Sequence, residues 1–242
     1  MVKKFSKNIN LNYSELDCNL ALKPSMLFQE LQDIASQNAD DLGFGFSFVK
    51  ENNLAWYLLK YHMEFNSYPK NIEKMTLETL SRGYSRMFAF RDFWLYNNEN
   101  LLGKMTSTWA LINKSTGEIF PFKNVPQNDN FTPFEKQTDD MSYNKIPLIE
   151  NVMREKTFEV RFEDIDVNKH ANNCNYIIWA LETLTFEERT RKIKTLDVNY
   201  KKEITYGETV VSQVEIKENQ TNHVLKNAKT DDVLCSVLVE WE

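Results

Sequence analysis

The sequence predicts an α+β fold in which one unit, a long helix followed by antiparallel strands, is used twice. Three observations predict it. Two stretches space their apolar residues at three- and four-residue steps. Each is followed by four stretches of strand-like alternation. The residues just ahead of the two helical stretches match at a constant offset of 149 positions. The length of 242 residues fits one large domain or two small ones, at about 100–200 residues per domain.

The first helix is predicted over 24–39, where Met26, Leu27, Leu31, Ile34 and Ala35 share a face. Pro24 suits its first turn, where a missing N–H costs nothing. Strands follow at 55–65, 74–84, 86–97 and 101–113, with hairpin turns at 97–100 and 113–118. The second helix is predicted over 173–190, with Tyr176, Ile177, Ala180, Leu181 and Leu184 on its apolar face and Asn172 or Asn173 as its cap. Strands follow at 195–204, 208–219, 223–228 and 233–241. Ahead of the helices, 11–17 and 157–166 read as one further strand each, ending in Asp17-Cys18-Asn19 and Asp166-Val167-Asn168. The segment 122–156 holds several prolines and much Asn, Asp and Lys without periodicity, and reads as a linker over the surface. The expected division is therefore 1–121, a linker at 122–156, and 157–242.

Composition narrows the chemistry. Apolar residues are 42%, charged residues 26% and aromatics 13%, which is enough apolar surface for a folded core. The longest apolar runs, 54–59 and 176–181, fall far short of the roughly 20 residues a bilayer requires, so no membrane insertion is expected. No apolar stretch backs the basic start, so no secretory signal is expected. A net charge of −6 argues against binding nucleic acid by neutralising phosphates over a whole surface. The three cysteines, Cys18, Cys174 and Cys235, are widely spaced and suggest neither a disulfide framework nor a metal pair; a reducing, cytoplasmic setting fits. The six glycines form no phosphate-binding loop, there is no GxSxG elbow, and three scattered histidines give no metal-ligand spacing. No cofactor and no metal are expected.

The chemistry is expected between Glu163 and Glu182. Asp166, Asn168 and His170 alternate immediately before the second helix, so an extended backbone would put a carboxylate, an amide and an imidazole on one face. The helix that follows presents its free N–H groups there, a place suited to a carbonyl oxygen acquiring negative charge. Asp and Asn ahead of a helix are also ordinary caps, and spacing alone leaves that reading open.

The run Asp166-Val167-Asn168-Lys169-His170-Ala171-Asn172-Asn173, with Tyr176, Trp179 and Glu182 after it, resembles the signature D-x-N-x-H-V-N-N-x-x-Y-x-x-W-x-x-E of the acyl-ACP thioesterases, with Ala171 in place of Val. Downstream, Tyr200-Lys201-Lys202-Glu203-Ile204 resembles that family's Y-R-R-E-C. In the first half 52–69, FRDFWL at 90–95 and 107–118 also resemble it. The resemblance spans most of the chain. It implies two tandem hotdog folds, each a long helix wrapped by an antiparallel sheet, and release of a fatty acid from acyl carrier protein. It places Glu203 among the catalytic residues with Asp166, Asn168 and His170. Ile204 stands where plant members often carry cysteine, so water attack promoted by Glu203 or His170 is favoured over a cysteine nucleophile. The resemblance also implies an acyl pocket in the first half, with candidate lining residues Phe28, Leu31, Trp56, Leu58, Met87 and Trp94, and places Asn172 and Asn173 at the substrate. Ala21 stands where His170 would align, so one catalytic site is expected.

An acidic carrier protein needs a local basic face on an acidic enzyme. Arg189, Arg191, Lys192 and Lys194, with Lys201 and Lys202, cluster in sequence around the candidate site and are the expected docking residues; Glu187, Glu188 and Asp197 dilute them. An acyl-CoA thioesterase, a hotdog dehydratase and a non-enzymatic acyl-binding protein are the alternatives. Two fused units allow a monomer, and sheet edges allow a homodimer.

Overall fold

The computed structural model describes residues 4–71, 73–125 and 131–242. The first half runs β1 (Phe5–Asn10), α1 (Pro24–Asp41), α2 (Phe46–Glu51), β2 (Leu54–Phe65), β3 (Lys74–Ser85), β4 (Phe88–Asn97) and β5 (Asn100–Asn113). The second runs β6 (Arg154–Glu159), α3 (Asn173–Leu181), α4 (Phe186–Arg189), β7 (Ile193–Tyr200), β8 (Thr209–Lys217), β9 (Gln220–Asn227) and β10 (Val233–Trp241). All ten strands form one antiparallel sheet, in the order β1-β3-β4-β5-β2-β7-β10-β9-β8-β6. The halves are hotdog folds joined edge to edge through β2 and β7. Among the described residues no helix is long and apolar enough to cross a membrane.

The sheet curves around α1 and α3, which pack on each other. Leu27, Phe28, Leu31 and Ile34 of α1 and Tyr176, Ile177 and Ala180 of α3 all lie in one buried cluster, so the two halves share a core. Burying a large apolar side chain contributes about 1.5–3 kcal/mol, and this shared layer resists separation of the halves.

The duplication extends to single hydrogen bonds. Each helix is preceded by a one-turn 3-10 helix, Tyr13–Glu15 or Phe162–Asp164. In each half an isolated bridge closes the next loop, Leu16 to Leu22 and Ile165 to Ala171. Leu20 (φ 59°) and Lys169 (φ 69°) both take the left-handed conformation that the loop demands. All of these pairs keep the 149-residue offset.

Several boundaries differ from expectation. The strand ahead of each helix lies earlier, as β1 and β6, because the polar 3-10 turns occupy part of the predicted segments. β6 begins inside the expected linker. The second helix stops at Leu181. The Thr183 hydroxyl bonds back to the Ala180 carbonyl at 2.7 Å, and Thr185 with Glu188 opens α4 as a separate capping box. β7 leaves the sheet at Tyr200 rather than continuing to 204, which frees Lys201–Glu203 to turn over the site.

The linker is more than a surface crossing. Phe122, Val125 and Phe131 are buried with Phe44, Leu54, Ala89 and Leu111 in a second apolar cluster. Gly83 (φ +83°) lets this strap approach β3: a Cβ there would lie 2.0 Å from the Thr132 carbonyl oxygen. Farther on, Asn144 donates through its backbone N–H and its side chain to the two Asp197 carboxylate oxygens, both at 3.0 Å. Asp197 in turn meets buried His62 at 2.7 Å across the β2–β7 join.

Candidate active site

The loop after the second 3-10 turn, the start of α3, the end of β7 and the start of β2 enclose a cleft of about 200 Å³. Asp166, Asn168, His170, Asn173 and Glu203 line it together with Trp56, Tyr57, Tyr176 and Tyr200. Three of the four expected catalytic residues come from one loop. Glu203 arrives from 33 positions downstream because the Ala171 N–H donates to the Ile204 carbonyl at 2.9 Å and ties the two segments together.

His170 Nδ1 lies 3.1 Å from Glu203 Oε1. The approach is off the line of a good hydrogen bond, and Nδ1 is otherwise without a partner. Glu203 Oε2 accepts from the Tyr57 hydroxyl at 2.7 Å. Burial raises the Glu203 pKa above the usual glutamate value. The Tyr57 hydrogen bond and the His170 ring pull it back, and the Asp166 carboxylate pushes it up. The same burial, with Glu203 beside it, raises the Tyr57 phenol, so Tyr57 is a hydrogen-bond donor.

Asp166 plays a different part from the one an extended backbone would give it. The segment turns at Lys169, and Asp166 Oδ1 accepts the backbone N–H groups of Asn168 (2.7 Å) and His170 (3.3 Å). It is a loop fastener of the Asx type, setting where Asn168 and His170 point. Asn168 Oδ1 accepts from Lys114 Nζ at 3.5 Å.

Asn172 caps α3, accepting the Cys174 N–H at 3.1 Å. Gln32 of α1 donates to Asn172 Oδ1 at 3.3 Å and accepts from Asn173 Nδ2 at 3.2 Å, while the Tyr200 hydroxyl donates to the Asn173 carbonyl at 3.1 Å. The first half therefore braces the helix terminus of the second. Tyr57, Gln32 and Lys114 were missed by sequence reasoning. Only strand pairing and helix packing across the halves brings them here, although the aromatic run ahead of Leu58 marked the strand that carries Tyr57.

Cys174 is buried beside Gln29, and burial raises its thiol pKa; Cys235 is fully buried and raised further. Neither lines the cleft. His223 is fully buried between Thr183 and Thr221, with its pKa pushed down to about 3 by burial. Among the described residues no cluster of three or more His, Cys, Asp or Glu has the arrangement of a metal site.

The acyl-pocket residues divide. Trp56 lines the cleft and also an apolar void beneath α1, walled by Ala35, Ala39, Ala89, Trp109 and Phe131. Leu58 lines the cleft; Phe28 and Leu31 are fully buried core. Trp94 belongs elsewhere: it alternates with buried Phe93 and Leu95, faces the outer side of the sheet, and carries Lys4 Nζ 3.7 Å over its ring. Met87 sits in the β3–β4 turn and does not line the void. Arg91, also on the void, was not foreseen. The residue is 8% exposed, its guanidinium donates to Asn38 (2.7 Å) and Thr79 (3.0 Å), and burial pushes its pKa down to about 10.

The docking residues are also redistributed. Arg189, Arg191, Lys192 and Lys194 lie at or before the start of β7, whereas the cleft lies at its end. An eight-residue strand spans roughly 23 Å, so only Lys201 and Lys202 of the expected group stand at the cleft. Adjacency in sequence became separation because the intervening chain is extended.

The acyl-ACP thioesterase N-terminal domain model matches residues 2–124 and the C-terminal domain model residues 149–242. The chain belongs to the acyl-ACP thioesterase family. This thioesterase-family chain is 24% identical over 215 residues to the oleoyl-acyl carrier protein thioesterase of Coriandrum sativum, covering 81% of this chain and 58% of that protein. It is 23% identical over 238 residues to the palmitoyl-acyl carrier protein thioesterase of Gossypium hirsutum, covering 91% and 57%. It thus spans somewhat more than half the length of these curated relatives. Among solved structures, the oleoyl thioesterase (putative) from Lactobacillus plantarum superposes with a TM-score of 0.87 at 23% identity, covering 100% of this chain and 96% of that one. The 12:0-ACP thioesterase from Umbellularia californica gives 0.85 at 17%, covering 99% and 97%. These likenesses establish the shared fold.

Proposed function

We propose that this chain hydrolyses the thioester of a fatty acyl group borne by acyl carrier protein, releasing the free acid. The observation that carries the proposal is the meeting of His170, Glu203 and Asn168 in one cleft at the start of α3, with Trp56 as a wall shared between that cleft and an apolar void. A thioester would lie at the cleft with its acyl chain running past Trp56 toward Ala89 and Phe131.

Glu203, aided by His170, takes a proton from water as the water oxygen bonds to the carbonyl carbon. A carboxylate whose pKa is raised is a stronger base once ionised, and such assistance contributes on the order of 10²–10⁴-fold. The carbonyl oxygen gains the displaced electron pair and is stabilised by the Asn168 amide and the N-terminus of α3. The pair then returns, the C–S bond breaks, and the thiolate recovers the proton from the Glu203–His170 pair. Asp166 and Tyr57 hold the groups that react.

The carrier docks, in this reading, on the rim of the cleft. Lys114, Lys169 and Lys201 are exposed there, beside exposed Phe162, Val167 and Tyr206. Basic and apolar surface together suits an acidic protein that also offers apolar contact. A cytoplasmic location remains part of the proposal.

The test is thiol release from matched acyl-ACP and acyl-CoA substrates of several chain lengths, with Glu203→Gln as control. Faster release from acyl-ACP, lost in the variant, supports the proposal. Preference for acyl-CoA changes the partner, and acyl binding without release from either makes the protein a carrier of acyl groups.

A further inference from the structure

β2 and β7 meet at His62 and Asp197, so residues equally far from that pair occupy like places in the two halves. The catalytic cleft at the end of β7 therefore has a counterpart at the end of β2. The Leu22 N–H donates to the Pro69 carbonyl as the Ala171 N–H donates to the Ile204 carbonyl, both at 2.9 Å. Tyr68 thus stands where Glu203 stands, Ala21 replaces His170, and Lys192 answers to Tyr57. The acid–base set is gone, but the cavity remains. It is the larger of the two, about 460 Å³ against about 200 Å³.

Its lining is cationic. Lys23, Lys70, Arg189, Arg191 and Lys192 face one carboxylate, Asp17, whose Oδ1 is already engaged by the N–H groups of Asn19 (2.8 Å) and Ala21 (2.9 Å). Arg189 pairs with Glu182 and Lys192 with Glu242. Lys23 and Arg191 meet only neutral acceptors, the Ser14 carbonyl in one case and the Glu218 carbonyl and Asn219 side chain in the other. Lys70 has no side-chain partner among the described residues. Three cations are therefore uncompensated.

Two further features call for an acceptor. Asn19 Nδ2 is buried at the cavity without a hydrogen-bond partner, an arrangement that is costly unless a ligand completes it. The 18-residue helix α1 opens on the cavity with no side-chain cap, whereas α3 caps itself with Asn172. Behind these polar groups the wall is apolar, from Leu22, Leu181, Ile193 and Trp241.

We propose that this degenerate counterpart of the catalytic cleft binds an anionic amphiphile, a single anionic head on an apolar chain, as a free fatty acid is. The head sits between Lys23, Lys70 and Arg191, within reach of Asn19, and the chain lies along Leu181 and Trp241.

The protein supplies its own reporter. Cys18 lines this cavity and is exposed, whereas Cys174 and Cys235 are buried. The measurement is the rate of Cys18 alkylation by iodoacetamide with dodecanoate, dodecyl phosphate or inorganic phosphate present, in the intact protein and in K70E/R191E. Saturable protection of tenfold or more by dodecanoate or dodecyl phosphate is expected, and the more protective of the two identifies the head group. Inorganic phosphate should protect weakly. The double variant should lose protection while kcat and KM for acyl-ACP stay within twofold; if it fails to fold, K70Q, at an exposed position, should weaken protection severalfold. Absent protection, protection equal for inorganic phosphate, or protection unchanged in the charge variants overturns the proposal. A raised KM for acyl-ACP in the double variant, without any ligand protection, overturns it in favour of a carrier-docking face. Failure here leaves the catalytic cleft untouched, since none of these residues lines it.

Discussion

The Tyr57 hydroxyl donates to Glu203 Oε2 at 2.7 Å, so a residue of the first half holds the carboxylate of the second. This bond stabilises the ionised carboxylate and opposes the upward push of burial. Tyr57→Phe should therefore raise the Glu203 pKa further. The acid limb of the kcat/KM profile should move to higher pH, as far as the loss of about 0.5–1.5 kcal/mol from one hydrogen bond allows. An acid limb that stays in place would detach Tyr57 from the chemistry.

Glu203→Gln removes the proposed base but keeps shape and hydrogen bonding. Turnover should fall on the order of 10²–10⁴-fold. Because burial disfavours the charged carboxylate, the melting temperature at pH 7 should be unchanged or slightly higher. A large loss of stability together with activity would mark Glu203 as structural.

His62 lies between Asp197 at 2.7 Å and Glu64 at 2.9 Å. Burial lowers its pKa, but the hydrogen bonds and charges of the two carboxylates outweigh that, and the net shift is upward. A raised folded-state pKa contributes stability that is fully present below the unfolded value near 6.5 and is lost as pH rises through the folded value. Denaturant unfolding across pH 6–9 should show this decline, and His62→Gln should flatten it. An equal slope in both proteins would place the titration elsewhere.

Ala39 of α1 lines the apolar void next to Trp56. Ala39→Phe should fill it and shift hydrolysis toward shorter acyl chains, with kcat/KM for the longest substrate falling tenfold or more. Chain-length profiles of the two proteins decide the matter, and an unshifted profile would put the acyl chain elsewhere.

Gly83→Ala sets a Cβ against the Thr132 carbonyl at a positive φ. A loss of about 2–3 kcal/mol is expected, since the backbone must move and the strain is added to the clash. Thermal unfolding measures it directly, and a neutral result would mean that the strap is free to shift.

Much of the fold was legible because duplication leaves a local trace. Asp17 and Asp166 each fasten a loop ahead of a helix, and such loop chemistry survives in sequence at fixed spacing. The strands were legible by alternation. Alternation alone does not tell which face is inward, however, and Trp94 landed outside for that reason. The end of α3 was obscured because Leu184 continues the apolar period past the C-cap at Glu182. In the site, His170 and Asn168 were readable from one loop, and Glu203 through family resemblance. Tyr57 and Gln32 were not, because their positions depend on pairing between halves, a relation of long sequence separation. The basic residues 189–194 do not line the cleft, because closeness along an extended strand is distance in space.

The β2–β7 join carries one last consequence. In an assembly of two identical chains, any substitution at one cleft is forced on the other, and dilution pulls the pair apart. Here the same join lies within a single polypeptide. Dilution cannot part the two halves. The two clefts have also been free to acquire different residues, His170 and Glu203 in one and Ala21 and Tyr68 in the other.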